Sequence, residues 1–209
     1  MIRILLVDDH ALVRRGLRGL LEEDLPLVEV FEAENAQQAT MLLLAEEWDL
    51  VLLDINMPGR NGLEVLEEIR RLHLQLPVIV LSAYPEGEFA LRAFKLGAAA
   101  YLNKQSASDE LLVAVKRVLG GGKYVTAAMG ERLAAALGGE IKASPHELLS
   151  NRELQVLRLI ASGKTLKEIG ADLGVSEKTV ATYRSRLSEK MGLGSKVDLT
   201  RYAVQHGLV

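Results

Sequence analysis

Short, unbroken apolar runs punctuate the first 120 residues, among them Ile4-Leu5-Leu6-Val7 and Leu50-Val51-Leu52-Leu53. Runs of this length, bounded by polar residues, predict strands buried on both faces, as in a parallel sheet. The strand positions are Arg3–Asp8, Val28–Ala33, Leu50–Asp54, Val78–Ser82 and Ala99–Leu102. Between them the apolar period changes to that of a helix. Leu12, Val13, Leu17, Leu20 and Leu21 form one stripe, and Leu111, Leu112, Val115, Val118 and Leu119 form another. Five strands alternating with five helices predict a doubly wound parallel α/β domain.

That alternation is of the flavodoxin-like type, and it stops at Gly120-Gly121-Gly122, which reads as a helix stop. The triplet lacks the spacing of a phosphate loop. Thr126–Leu137 predicts one more short helix, and Gly138 through Pro145 has no apolar period and reads as a linker. Beyond it the period is helical throughout. Ser150-Asn151-Arg152-Glu153 and Thr165-Leu166-Lys167-Glu168 are capping boxes. Gly174 ends the second of these helices, and Ser176 starts a third, with Val180, Leu187 and Met191 on its apolar side. Two helices joined by a tight turn at Gly174-Val175 predict a helix-turn-helix. The organisation is therefore residues 1–120, a linker with a short helix at 121–147, and an all-α domain at 148–209.

Charge sharpens this division. The net of −3 combines −7 over residues 1–147 (15 Lys+Arg against 22 Asp+Glu) with +4 over residues 148–209 (10 against 6). An acidic front and a basic back predict different partners, the second a polyanion. The absence of cysteine excludes disulfides and thiolate metal sites. Met1-Ile2-Arg3-Ile4 lacks the features of a signal peptide, and no apolar run approaches the roughly 18 residues that span a bilayer. A cytoplasmic protein with no membrane association is expected.

The chemistry sits at the predicted strand ends. Asp8 and Asp9 follow the first run and Asp54 ends the second, so the fold would bring three carboxylates to one crevice. Such a cluster needs protons or a hard cation, and Mg²⁺ is the simplest answer. Val7-Asp8-Asp9-His10, Leu53-Asp54-Ile55-Asn56-Met57-Pro58-Gly59 with Gly62, Leu81-Ser82-Ala83 and Gly97 through Lys104 together resemble the receiver domain of response regulators. Asp9, Asp54, Ser82 and Lys104 follow one another at intervals of 45, 28 and 22 residues.

The resemblance implies a role for each matched residue. Asp54 would be the phosphoacceptor, and Asp8, Asp9, Asp54 and the backbone carbonyl of Asn56 would hold Mg²⁺. Lys104 would pair with phosphoryl oxygens. Ser82 would swing to the phosphoryl group, leaving space that Tyr101 fills by turning inward. His10 is expected at the start of the next helix rather than as a further ligand; His73, His146 and His206 read as incidental. Gln105 stands where many receivers have proline, so a cis bond after Lys104 is not expected.

Leu149 through Leu157, Gly163 through Ile169, Leu173 through Val180 and Lys190-Met191-Gly192-Leu193 resemble the LuxR-type DNA-binding domain. The whole chain then looks like a response regulator of the NarL/FixJ family, a receiver followed by a four-helix LuxR-type domain. The recognition helix would run from Ser176 to Met191, with Asp198–Ala203 in the fourth helix. Its start, with the Ser176 and Thr179 hydroxyls, suits a phosphate oxygen. Thr182 and Ser185 are expected near base edges, and Lys178, Arg186 and Lys190 on phosphates. The usual basic residues are replaced by Ala181 and Tyr183, and Tyr183 would keep a phosphate hydrogen bond. The resemblance implies a sensor histidine kinase, double-stranded promoter DNA and a homodimer on phosphorylation as partners. The protein would be a transcription factor rather than an enzyme. A phosphorylation-independent DNA binder, a signalling adaptor and a metabolic enzyme are the alternatives; no dinucleotide fingerprint supports the last.

Overall fold

The computed structural model describes residues 1–72, 75–83, 88–104, 107–137 and 144–209, in two compact units, Met1–Arg132 and Leu133–Val209. His73, Gln105 with its preceding bond, and the predicted linker stretch 138–143 lie outside the described residues.

In the first unit, β1 (Ile2–Val7), β2 (Val28–Ala33), β3 (Leu50–Asp54), β4 (Val78–Ser82) and β5 (Ala100–Asn103) form one parallel sheet in the order β2-β1-β3-β4-β5. Between and after them run α1 (Ala11–Asp24), α2 (Ala36–Ala45), α3 (Gly62–Arg71), α4 (Glu88–Lys95), α5 (Ala107–Leu119) and α6 (Ala127–Leu137). This is the flavodoxin-like architecture. Every residue of β3 and β4 is buried, as expected of strands covered on both faces. On one face Ile4, Leu6, Leu50, Leu52, Ile79, Leu81 and Leu102 pack against Leu17 and Leu21 of α1 and Leu111, Val115 and Val118 of α5. The edge strand β2 carries Glu29 and Glu32, which discourages pairing with another chain.

Three local differences from the sequence expectation have simple causes. β1 stops at Val7, so Asp8 lies just beyond the sheet, and β5 is displaced by one residue to Ala100–Asn103. Leu12, placed in the apolar stripe of α1, is 83% exposed. The buried residues of that helix are Arg14, Leu17 and Leu21, and Leu12 lies about 200° around the axis from Arg14.

The second unit begins inside α6. A 3-10 turn at Pro145–Leu148 precedes α7 (Asn151–Ala161), α8 (Leu166–Leu173), α9 (Glu177–Met191) and α10 (Lys196–Gln205). Both predicted capping boxes form: Ser150 with Glu153 starts α7, and Thr165 with Glu168 starts α8. Gly174 closes α8 at φ 64°, a left-handed conformation that favours glycine, and Ser176 caps α9 two residues later. Leu154, Leu157, Ile169, Leu173, Val180, Leu187, Leu199 and Ala203 are buried. No helix among the described residues is long and apolar enough to cross a membrane.

Candidate functional site

From β1 the chain winds outward to β2 on one side, and from β3 to β4 and β5 on the other. The crevice beyond the carboxyl ends of β1 and β3 is therefore the topological switch point. Asp8 and Asp9 follow β1, Asp54 is the last residue of β3, Ser82 is the last of β4, and Lys104 follows β5. One ligand atom each from Asp8, Asp9, His10 and Asp54 falls in a cluster no wider than 4.8 Å.

Asp8 and Asp54 are fully buried. Lys104 Nζ lies 2.6 Å from Asp8 Oδ2 and 2.7 Å from Asp54 Oδ2. The other Asp54 oxygen accepts the N–H of Asn56 at 2.9 Å. Burial pushes the Asp54 carboxyl above the ordinary aspartate range and Asp8 adds to this, while Lys104 and the Asn56 N–H oppose it. Burial would lower the Lys104 ammonium, but Asp54 and Asp8 outweigh it and hold the group above the ordinary lysine value. Lys104 is thus a firm cation between two carboxylates, one of them reluctant to ionise.

Among the described residues, three buried oxygens, Asp8 Oδ2, Asp9 Oδ1 and Asp54 Oδ2, accept no aligned hydrogen bond and meet the charges of Lys104 and the His10 ring. Three carboxylates against one ammonium leave an excess of negative charge. Anionic oxygen donors with free lone pairs, gathered at one point, fit a hard divalent cation. His10 occupies the N-cap position of α1 without capping it. Its Nδ1 lies 2.9 Å from Asp9 Oδ1 and 3.3 Å from Asp8 Oδ1.

The site's floor is set by a close approach. A Cβ on Gly62 would lie 2.0 Å from the backbone oxygen of Asp54, so α3 starts directly against the end of β3. The Asn61–Glu64 capping box fixes that start. Ser82 Oγ donates to the side-chain oxygen of Asn56 at 3.4 Å. Tyr101 is only 1% exposed, so its ring is already inside the protein. The expected inward turn on phosphorylation therefore has no outward starting position here.

Sequence reasoning missed Arg14. It is buried and donates to the Asp8 carbonyl and to Glu32 and Glu34. A basic residue three positions before Leu17, on the core face of α1, was the available signal.

In the second unit α9 divides as the sequence predicts. Val180, Leu187 and Met191 are buried, whereas Lys178, Thr182, Ser185 and Arg186 are exposed. Lys178 and Arg186 have no ion-pair partner among the described residues. Tyr183 is half-buried. The Ser176 oxygen accepts the Thr179 N–H at 3.1 Å and lies 2.8 Å from the Thr179 hydroxyl. Thr182 donates its hydroxyl back to the Lys178 carbonyl at 3.0 Å, which fixes its rotamer. Lys190 stands apart from the other basic residues. Its Nζ lies 2.7 Å from Glu153 Oε2, the oxygen that also accepts the Ser150 N–H in the α7 capping box.

Comparison with known proteins agrees with both halves. The family model described as the response regulator receiver domain matches residues 4–116, and that of the bacterial regulatory proteins of the luxR family matches residues 147–203. The response regulator UvrY of Escherichia coli O157:H7 is 37% identical over 209 residues, covering 100% of this chain and 96% of that protein. The response regulator GacA of Pseudomonas viridiflava is 35% identical over 210 residues, covering 100% of this chain and 98% of that protein. Among solved structures, RcsB of Salmonella enterica serovar Typhimurium, bound to the rprA promoter in the presence of the phosphomimetic BeF3⁻, is 25% identical. It superposes with a TM-score of 0.65 over 98% of this chain and 99% of that one. A LuxR-family two-component response regulator from Aurantimonas is 33% identical, with a TM-score of 0.59 over 64% of this chain and 96% of that one. With a receiver at its front, a LuxR-type helix-turn-helix at its back and relatives matching it from end to end, the chain belongs to the NarL/FixJ family of response regulators.

Proposed function

We propose that Asp54 accepts a phosphoryl group from a phosphohistidine on a sensor histidine kinase, and that this controls dimerisation and sequence-specific DNA binding. The observation that carries the reading is the buried contact of Lys104 with both Asp8 and Asp54 at the carboxyl ends of the strands. A carboxylate oxygen of Asp54 forms the new bond to phosphorus as the phosphorus–nitrogen bond breaks, and the departing imidazole keeps the electron pair. Lys104 balances the oxygens of the transferred group, as a lysine point charge does elsewhere. Mg²⁺ held by Asp8, Asp9, Asp54 and the Asn56 carbonyl would supply charge neutralisation for the carboxylates and the phosphoryl oxygens. Ser82 would exchange its hydrogen bond to Asn56 for one to the phosphoryl group, with the buried Tyr101 as the second switch residue.

In this reading residues 1–120 are the receiver, 121–147 the linker and 148–209 the output domain, which acts in the cytoplasm as a transcription factor and not as an enzyme. The Ser176 and Thr179 helix start, Lys178, Tyr183 and Arg186 contact phosphates, and Thr182 and Ser185 lie near base edges. RcsB, solved on a promoter, supports a DNA partner. A dimer would read half-sites about one helical turn apart. Lys190 is withdrawn from the phosphate contacts because Glu153 already holds it.

Two assays test the proposal together. Wild type should take label from a small phosphodonor in Mg²⁺ and then shift promoter fragments more tightly. Asp54→Asn should do neither, and labelling of that variant at the wild-type rate would rule out Asp54 as the acceptor. DNA affinity should fall steeply with salt as counterions are released, so a salt-independent affinity would refute the phosphate contacts.

A further inference from the structure

Arg14 lies on the core face of α1 and is 5% exposed. A guanidinium is costly to bury unless its donors are matched with acceptors. Here Nε donates to Glu32 Oε2 at 2.9 Å, Nη2 to Glu34 Oε1 at 2.8 Å, and Nη1 to the backbone carbonyl of Asp8 at 2.7 Å. The Glu32 carboxyl is held below the ordinary glutamate range, first by the Arg14 hydrogen bond, with burial opposing and Arg18 assisting. The arginine is therefore anchored at the end of β2 and just after it, and one arm remains for the β1–α1 loop.

What that arm holds matters. The Asp8 N–H bonds to the Ala33 carbonyl at 3.1 Å, the last contact between β1 and β2. The Asp8 carbonyl lies beyond the ladder, and Arg14 supplies its donor. That carbonyl belongs to the peptide joining Asp8 to Asp9. Because the peptide is planar, fixing its oxygen also fixes the N–H and Cα of Asp9.

We infer that Arg14 is a positioning residue for the cation site: it locks the Asp8–Asp9 peptide plane so that the two carboxylates converge before any metal arrives. The inference rests on the phosphoacceptor reading above, and it concerns binding of the metal rather than the transfer step.

Electrostatics and positioning make opposite predictions here. Removing a positive charge, which leaves Glu34 unneutralised and Glu32 with only Arg18, should strengthen binding of a cation nearby. Loss of preorganisation should weaken it. Replacing partners that orient metal ligands typically costs 10–100-fold in affinity. Full-length protein is titrated with Mg²⁺ alone by isothermal titration calorimetry, with folding verified by differential scanning calorimetry. Arg14→Met should bind Mg²⁺ about 10–100-fold more weakly than wild type. Arg14→Lys should be similarly impaired, because one ammonium cannot span the carbonyl and both glutamates. Arg18→Met, an exposed arginine one turn along the same helix that reaches Glu22 and Glu32 but not the Asp8 carbonyl, should stay within about twofold, far below that range.

Unchanged or tighter binding by folded Arg14→Met overturns the inference, and so does full rescue by Arg14→Lys, which would make charge rather than the fork responsible. If Arg14→Met does not fold, Glu34→Gln removes one anchor of the fork; Mg²⁺ binding weakened equally at high ionic strength supports the inference, and unchanged binding, or a weakening that salt screens away, overturns it. Absence of Mg²⁺ binding in wild type overturns the phosphoacceptor reading and this inference with it. Wild-type binding that Arg14→Met leaves intact overturns this inference alone.

Discussion

Replacing Lys190 by methionine tests whether its ammonium ties α9 to the buried Glu153 or serves a phosphate. Glu153 is 4% exposed on its side chain and Lys190 is 41% exposed. Breaking a fully buried pair costs about 3–5 kcal/mol, and exposed pairs contribute about 0.2–1 kcal/mol. With one partner buried and the other open to solvent screening, Lys190→Met should cost about 1–2 kcal/mol, between those limits. Methionine keeps most of the stem, so the loss is of charge rather than packing. Glu153→Gln in the same background should remove most of the further penalty, giving a coupling energy of similar size in a double-mutant cycle. Burial alone would raise the Glu153 carboxyl, but Lys190 and the Ser150 N–H hold it below the ordinary glutamate range. The stabilisation is therefore present above the unfolded glutamate pKa and is lost as pH falls through the depressed folded value. The chain's single tryptophan, Trp48, lies in the first unit and does not report on α7 and α9. Scanning calorimetry is the appropriate assay, with DNA affinity measured across salt concentrations. The salt slope should be unchanged. A coupling below about 0.3 kcal/mol, together with a slope reduced by about one, would refute the structural role of the Lys190–Glu153 pair and restore Lys190 as a phosphate contact.

Gly62→Ala should destabilise the first unit by about 3 kcal/mol or more, since its methyl would meet the Asp54 carbonyl where no flexible side chain can yield. Urea unfolding followed by Trp48 fluorescence measures this, and wild-type stability would show that α3 does not rest on β3. The raised Asp54 pKa implies a second outcome in metal-free buffer. A group whose folded pKa exceeds its unfolded value stabilises most below the unfolded pKa, and that stabilisation is lost as pH rises through the folded value. The stability of wild type relative to Asp54→Asn should therefore decline as pH rises from the ordinary aspartate pKa through the raised folded value, and Mg²⁺ should flatten the decline. A difference independent of pH would mean that burial does not perturb Asp54.

The parts of this protein legible along the chain are those decided within a few residues. Ser150 and Glu153, Thr165 and Glu168, and Ser176 with Thr179 cap helices in the structure as their spacing predicts, because donor and acceptor lie within one turn. The apolar runs of β3 and β4 are buried throughout because a strand covered on both faces needs no alternation. Leu12 fails for a related reason: a stripe judged by composition alone cannot tell which face of α1 the sheet covers. Arg14 resolves that question, since its partners Glu32 and Glu34 fix the helix's rotation.

By itself, the sequence determined the order of elements, the family and which carboxylates and cation belong to the site. These follow from short-range periodicity and from motifs whose residue types are set by their chemistry. The tertiary structure alone decided what each charge does. It placed Lys104 between Asp8 and Asp54, turned the Arg14 fork onto the Asp8 carbonyl, set Gly62 against the Asp54 backbone and tied the exposed Lys190 to the buried Glu153. Each depends on a distance across the fold between residues far apart in the chain. A charged side chain carries the same residue type whether it faces a partner or water, so its role is settled only when packing brings the partner within reach.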